Sequence, residues 1–149
     1  MRKLLILLGA LSLLVMNVES AGLINLCPNA CFEKKIKDKV LSWELKGKGE
    51  WFKPGRNGGG CLLVEAGRKR GKWISEKIKW EGKEFADISC WLRAEKIYPI
   101  DVGYRAVLEL EGYNENEKKI FSEEIGWVNG DTPWRYFHKT FKIPKALIK

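Results

Sequence analysis

Six side chains are spaced to act together on a surface: Trp91 with Arg93, Glu109 with Glu111, and Tyr136 with His138. Each pair is two residues apart, the period at which side chains on a β-strand point the same way. Aromatic rings offer flat faces for stacking, and the charged and imidazole groups offer hydrogen bonds. If three strands carry them on one shared sheet, the six groups converge. The glutamates admit a second reading, because carboxylates two apart on a strand lie within ~7 Å, overlapping the separations used in glycoside hydrolysis. Hydrolytic carboxylates normally come from different elements flanking a cleft, so Glu109 and Glu111 read as surface charge. There is no G-x-S-x-G elbow and no cysteine–histidine pair with an orienting group. Residues 55–60, Gly-Arg-Asn-Gly-Gly-Gly, lead into a strand rather than a helix. They form a turn, not a phosphate cradle. The chain is expected not to be an enzyme.

The four cysteines, Cys27, Cys31, Cys61 and Cys90, are the other reactive groups. Zinc binding has little support, since no two are spaced C-x-x-C and His138 is the one histidine. Their even number suits disulfides if the chain leaves the cytoplasm. Pairing Cys27 with Cys31 and Cys61 with Cys90 is the expected arrangement; buried free thiols are the alternative. Export is expected from the N-terminus. Met1-Arg2-Lys3 precedes an uncharged, mostly apolar run from Leu4 to Met16, with small residues Val18 and Ser20 after it. That is a signal peptide's pattern, and the run is short for a membrane span of ~20 residues. Residues 1–20 are therefore expected to be a signal peptide and residues 21–149 a single domain, secreted or at the cell surface. An uncleaved anchor is the alternative.

Lys and Arg number 27 against 19 Asp and Glu; residues 21–149 alone hold 25 against 18. The lysines are dispersed among glutamates, so the excess reads as a solvated mixed surface, and export argues against a nucleic-acid partner. The basic run 68–70, between two glycines, reads as a turn tip.

The elements that must position these groups are strands. Short alternating runs at 61–66, 72–78, 86–94, 104–111, 119–124 and 134–143 are separated by Gly, Asn, Asp and Pro clusters. Ile88, Cys90, Leu92 and Ala94 share one face of their strand, and Ser89, Trp91, Arg93 and Glu95 the other. Ala106, Leu108 and Leu110 are expected in the core, with Arg105, Val107, Glu109 and Glu111 facing away. Asn114 to Asn116 reads as a hairpin tip, and the charged stretch 33–40 as a turn of helix. Trp43, Trp73, Trp80, Trp127 and Trp134 are expected to fill the core or pin loops. Trp51 and Phe52 are candidates for an exposed loop. The pattern argues for an all-β sandwich of two antiparallel sheets.

Five segments together resemble the galactose-binding-like jelly-roll carbohydrate-binding modules. Asn29-Ala-Cys-Phe-Glu33 with Trp43-Glu-Leu45 is similar to their opening N-G-x-F-E … W. Gly58 to Val64 is similar to G-x-x-S-L-x-V, and Ile88 to Arg93 to L-S-F-W-V-K. Arg105 to Asn114 resembles the strand before a hairpin, and Trp134 to Pro144 resembles W-x-x-y-x-x-t-f-x-v-P. The order and spacing agree over residues 29–144. The resemblance implies a jelly-roll β-sandwich that binds a polysaccharide or other glycan without catalysis, by stacking and hydrogen bonding. By the alternation of the strands, the ligand is expected on Trp91, Arg93, Glu109, Glu111, Tyr136 and His138. No cofactor is implied beyond a structural calcium held in many members by the glutamate of F-E, here Glu33, and a late aspartate. That second ligand has no counterpart here, because members continue for one or two strands past the last segment. A jelly roll short of its last strand has an unpaired edge. Such an edge would pair with a strand of another chain or be covered by the N-terminal segment, unless the reading frame is truncated. The alternative function is a cell-envelope protein that contacts other proteins through the same sandwich.

Overall fold

A computed structural model describes residues 5–8, 12–15, 24–65, 71–80, 84–98 and 104–145, with residues 5–8, 12–15 and 24 described by backbone alone. The basic tip at 68–70 and most of the chain's first 23 residues lie outside these. The protein is all-β, with no α-helix among the described residues. The strands are β1 Leu5–Leu8, β2 Ser12–Val15, β3 Ile24–Asn25, β4 Lys35–Ile36, β5 Lys39–Val40, β6 Trp43–Lys46, β7 Gly49–Phe52, β8 Cys61–Val64, β9 Lys72–Ser75, β10 Phe85–Ile97, β11 Ala106–Tyr113, β12 Lys119–Val128 and β13 Gly130–Lys142. One 3-10 turn, Arg56–Gly58, lies between β7 and β8.

Seven strands form one sheet around β10, and β4–β5, β6–β9 and β11–β12 form separate antiparallel pairs. Along one edge β10 pairs with β13 from Phe85↔Lys142 to Ile97↔Gly130. Along the other it pairs first with β1, Leu5↔Glu95 to Leu8↔Leu92, then with β2, Ser12↔Ser89 to Leu14↔Asp87. β1 and β2 thus lie end to end, their registers differing by one residue. On its far side β1 pairs with β8, Ile6↔Val64 to Leu8↔Leu62, and β2 pairs with β3. Residues 5–8 and 12–15, from the apolar run expected to be a leader, are therefore built into the sheet beside β10.

The alternation read from residues 88–94 locates the core. Ala86, Ile88, Cys90, Leu92 and Ala94 of β10 are buried together with Leu62 and Val64 of β8 and Phe141 of β13. Against them pack Ala106, Leu108 and Leu110 of β11, Phe121, Ile125 and Val128 of β12, and Trp43, Leu45 and Trp73 of the β6–β9 pair. The core thus lies between the large sheet and the smaller pairs. Burying one such Leu, Ile or Phe side chain stabilises by ~1.5–3 kcal/mol. Trp127 departs from expectation: it projects outward and is 44% exposed, directly across from Val107, while Ile125 and Val128 turn inward. The register of β11 against β12 shifts between Leu108 and Glu109, and this bulge decides which residues of β12 face in.

The opening loop is built by the conspicuous residues of 29–45. The Asn29 side-chain amide donates to the carbonyls of Lys34 and Leu41, at 2.9 and 3.0 Å, and its oxygen accepts from the Lys34 amide. These bonds hold 34–41 as the tight β4–β5 hairpin, with Val40 buried, in place of the expected turn of helix. Phe32 is fully buried and meets Trp43 edge-on, with ring centroids 5.4 Å apart. Trp43 and Trp51 donate their indole N–H groups to the carbonyls of Pro28 and Phe32. Trp51 therefore pins a loop and does not stand free.

The chain passes from the β11–β12 pair into the large sheet at Asn129-Gly130, where Gly130 has φ +58°, a left-handed conformation that favours glycine. Just before it, β12 runs close over β13. A Cβ on Gly126 would lie 2.3 Å from the Phe137 ring at its base, not at a movable tip. Gly126→Ala is expected to destabilise the protein by about 1–3 kcal/mol through overpacking. Urea unfolding followed by tryptophan fluorescence measures it.

Candidate functional site

The outer face of the large sheet, opposite the core, gathers the polar and aromatic residues of β10 and β13. Trp91 and Tyr136 are direct cross-strand neighbours. Their ring centroids are 5.1 Å apart at an interplanar angle of 46°. The Arg56 guanidinium lies 3.5 Å above the Trp91 ring, a cation–π contact that occupies that indole face. Tyr136 is the more open ring, 51% exposed. Toward one end, His138 Nε2 stands 3.4 Å from the Asp87 carboxylate, and the Thr140 hydroxyl donates to the same carboxylate. Because that hydroxyl points at Asp87 and not at His138, the trio does not form a hydroxyl activated by an imidazole. Toward the other end, Arg93 and Glu95 form an ion pair. From Asp87 to Glu95 the strip runs ~25 Å along β10.

Four of the six expected ligand residues, Trp91, Arg93, Tyr136 and His138, thus share one surface. Glu109 and Glu111 are placed elsewhere. They project from β11, whose alternate residues Leu108 and Leu110 enter the core, so they face away from the strip on the other side of the protein. There Glu109 accepts from the Ser122 hydroxyl, and Glu111 accepts from Tyr113 and Lys119. Tyr113 first, then Lys119, holds the Glu111 carboxyl below its ordinary value. The exposed Trp127 lies on this same hairpin, with the Arg105 guanidinium 5.9 Å from its ring. Arg56, Asp87 and Thr140 were not singled out from sequence. Asp87 and Thr140 follow from the same alternation, two positions beyond Ser89 and His138, whereas nothing local in a glycine-rich turn marks Arg56.

Glu33 is a structural clasp. One of its oxygens accepts the Gly60 N–H at 2.6 Å, and the other lies 3.4 Å from the Lys53 ammonium. The Gly60 bond is the main reason its carboxyl sits below the usual range, with Lys53 adding to it. The clasp ties the 53–60 turn, and Arg56 with it, to the opening loop. An amide and an ammonium on one carboxylate do not fit the calcium role that the resemblance implies for Glu33. Among the described residues no three His, Cys, Asp or Glu side chains cluster for a metal ion.

All four cysteines are free, which corrects the expected disulfides. Cys61 faces the outer surface with Leu63, Phe52 and Trp134, whereas Cys90 faces the core, and β1 runs between their strands. A disulfide needs Cβ atoms ~3.8 Å apart, which opposite faces of strands two places apart forbid. Cys27 is buried and Cys31 exposed, and both are thiols here. Burial pushes the Cys27, Cys61 and Cys90 thiols up to about 12.

Comparison with known proteins gave no matching family model, no matching curated protein and no matching solved structure.

Two outcomes follow from these geometries. In the folded chain at pH 8, Cys31 is expected to react with a thiol reagent within minutes, and all four cysteines only in denaturant; intact-mass counting of labels checks this. The Glu33 clasp adds stability above its unfolded value, near 4.5, and that contribution fades as the pH falls through the lower folded value. Glu33→Gln is expected to cost about 1 kcal/mol or less at pH 7, given the group's exposure, with the gap from wild type closing in acid. Urea midpoints measured from pH 7 down to pH 3 test it.

Proposed function

We propose that this protein is an exported, non-catalytic carbohydrate-binding module, a β-sandwich of the galactose-binding-like jelly-roll type. The observation that carries the reading is the outer strip of the β10–β13 ladder. An exposed tyrosine abuts a tryptophan there, flanked within the same two strands by an arginine–glutamate pair and a histidine–aspartate pair. Stacking on an aromatic ring, with hydroxyls hydrogen-bonded by charged groups on either side, is what holding a pyranose chain requires. The strip is long, and its tyrosine is exposed, which suits a polymer better than a small enclosed ligand. The opening-loop residues that carry the resemblance, Asn29, Phe32, Glu33 and Trp43, bear on one another and on the turn beside the strip. That supports reading them as a family's framework. Binding of this kind uses no cofactor. The ligand is a glycan and not a nucleic acid, because Arg93 and His138 on the strip are each set against a carboxylate and do not form a basic track.

The test is retardation in native gels cast with a panel of soluble polysaccharides. Wild-type protein is expected to be retarded by at least one. Tyr136→Ala is expected to weaken that retardation roughly tenfold, an aromatic contact's share of binding. Trp91→Ala and Arg93→Ala should weaken it too. Glu111→Gln, on the opposite side of the core, should not. No retardation by any polymer, or unchanged retardation of Tyr136→Ala and Trp91→Ala, would rule the strip out.

A further inference from the structure

The backbone of residues 5–8 lies between β8 and β10, and that of residues 12–15 follows the same edge of β10 with β3 on its far side. Residues 5–8 run antiparallel to β8 and to β10, so those two strands run parallel to each other. β8 is buried on both faces. Leu62 and Val64 point into the core, while Cys61 and Leu63 point to the outer face, yet they are 0% and 1% exposed. A strand so enclosed belongs inside a sheet, with neighbours on both edges. The run from Leu4 to Met16 has no charged residue, which suits an interior strand as well as it suits a leader. If export removes that run, β10 loses its partner along residues 87–89 and 92–95 and β8 loses one edge along 62–64. Unpaired backbone N–H and C=O groups in the interior of a sheet are costly, and an added strand satisfies them.

We propose that the edge of β10 that faces away from β13, walled by β8 beside residues 5–8 and by β3 beside residues 12–15, is a strand-acceptor slot. β1 and β2 hold it until the leader is cut, and it then takes one extended, uncharged, apolar segment of about ten residues from another polypeptide. The length follows from the ladder along β10. The direction, antiparallel to both walls, follows from the registers, and the chemistry follows from the run that fills the slot. The proposal rests on the export half of the functional reading, with the leader removed, and is independent of the glycan half.

The experiment uses the full chain with a protease site placed after Ser20, cut only after folding. A labelled peptide with the sequence of residues 4–16, on a soluble tag, is then added in excess. The cut protein is expected to keep its own leader without a covalent link and to exchange it for the labelled peptide in mild denaturant. A peptide carrying Leu7→Pro and Leu13→Pro, which deletes ladder donors, should not enter. Washing the leader out should leave the amides that donate to β7 and β13 protected. It should speed hydrogen exchange of the alternate amides within 62–64 and 87–95 that donate to the leader by a hundredfold or more, and the peptide should restore their protection. The proposal fails if those amides stay protected with the leader gone, meaning that β8 and β10 have closed on each other. It fails equally if protection returns through dimers of the cut chain, or if the proline peptide enters as readily. The N-terminus of the exported protein, read by mass spectrometry, tests the export reading separately: a retained leader overturns that reading while peptide uptake would stand.

Discussion

The structure depends on β10 having a neighbour along each edge and packing on each face. Thirteen residues long, it carries the core on one side and the polar strip on the other. Interior backbone groups must find partners, so a strand at this depth cannot leave half its N–H and C=O groups bare. β13 supplies one edge over its whole length, and the N-terminal residues supply the other. The placement of β8 and the burial of Cys61 and Leu63 follow from that second edge being filled.

The residues most conspicuous in the opening of the chain turn out to do structural work. Asn29 threads its amide between two carbonyls, Phe32 plugs the core, two indoles tie down loop carbonyls and Glu33 clasps the next turn. None of them faces the strip. They set where the 53–60 turn sits, and that turn carries Arg56 onto Trp91. Frame and surface are therefore connected through one carboxylate.

Much of this was legible beforehand, and the reason is periodicity. In 88–94 and 106–110 one face meets the core and the other meets water, so apolar and polar residues alternate, and both strands follow that reading. Trp91 and Tyr136 were placed together because both stand at outward positions. Alternation tells which side of its own strand a residue takes, but not which layer the strand joins, so Glu109 and Glu111 went to the far side of the core. The same limit separated Cys61 from Cys90. The hairpin at 35–40 escaped because it buries chiefly Val40 and is held by a side chain six residues earlier in the chain. Trp127 escaped because a bulge changed the inward set of its strand. An unbroken apolar run such as 4–16 has no period at all, so an interior strand and a leader look alike in it.

Arg56 lies flat across Trp91 from a turn that is itself tethered. The indole is thus already occupied by a guest belonging to the chain, present at the high local concentration that a short tether enforces. Any molecule settling on that ring competes with the guanidinium before it competes with water. Solutes that draw the guanidinium away, anions above all, would lay the indole bare, so the reach of the aromatic surface is governed by a residue that never needs to touch what lands there.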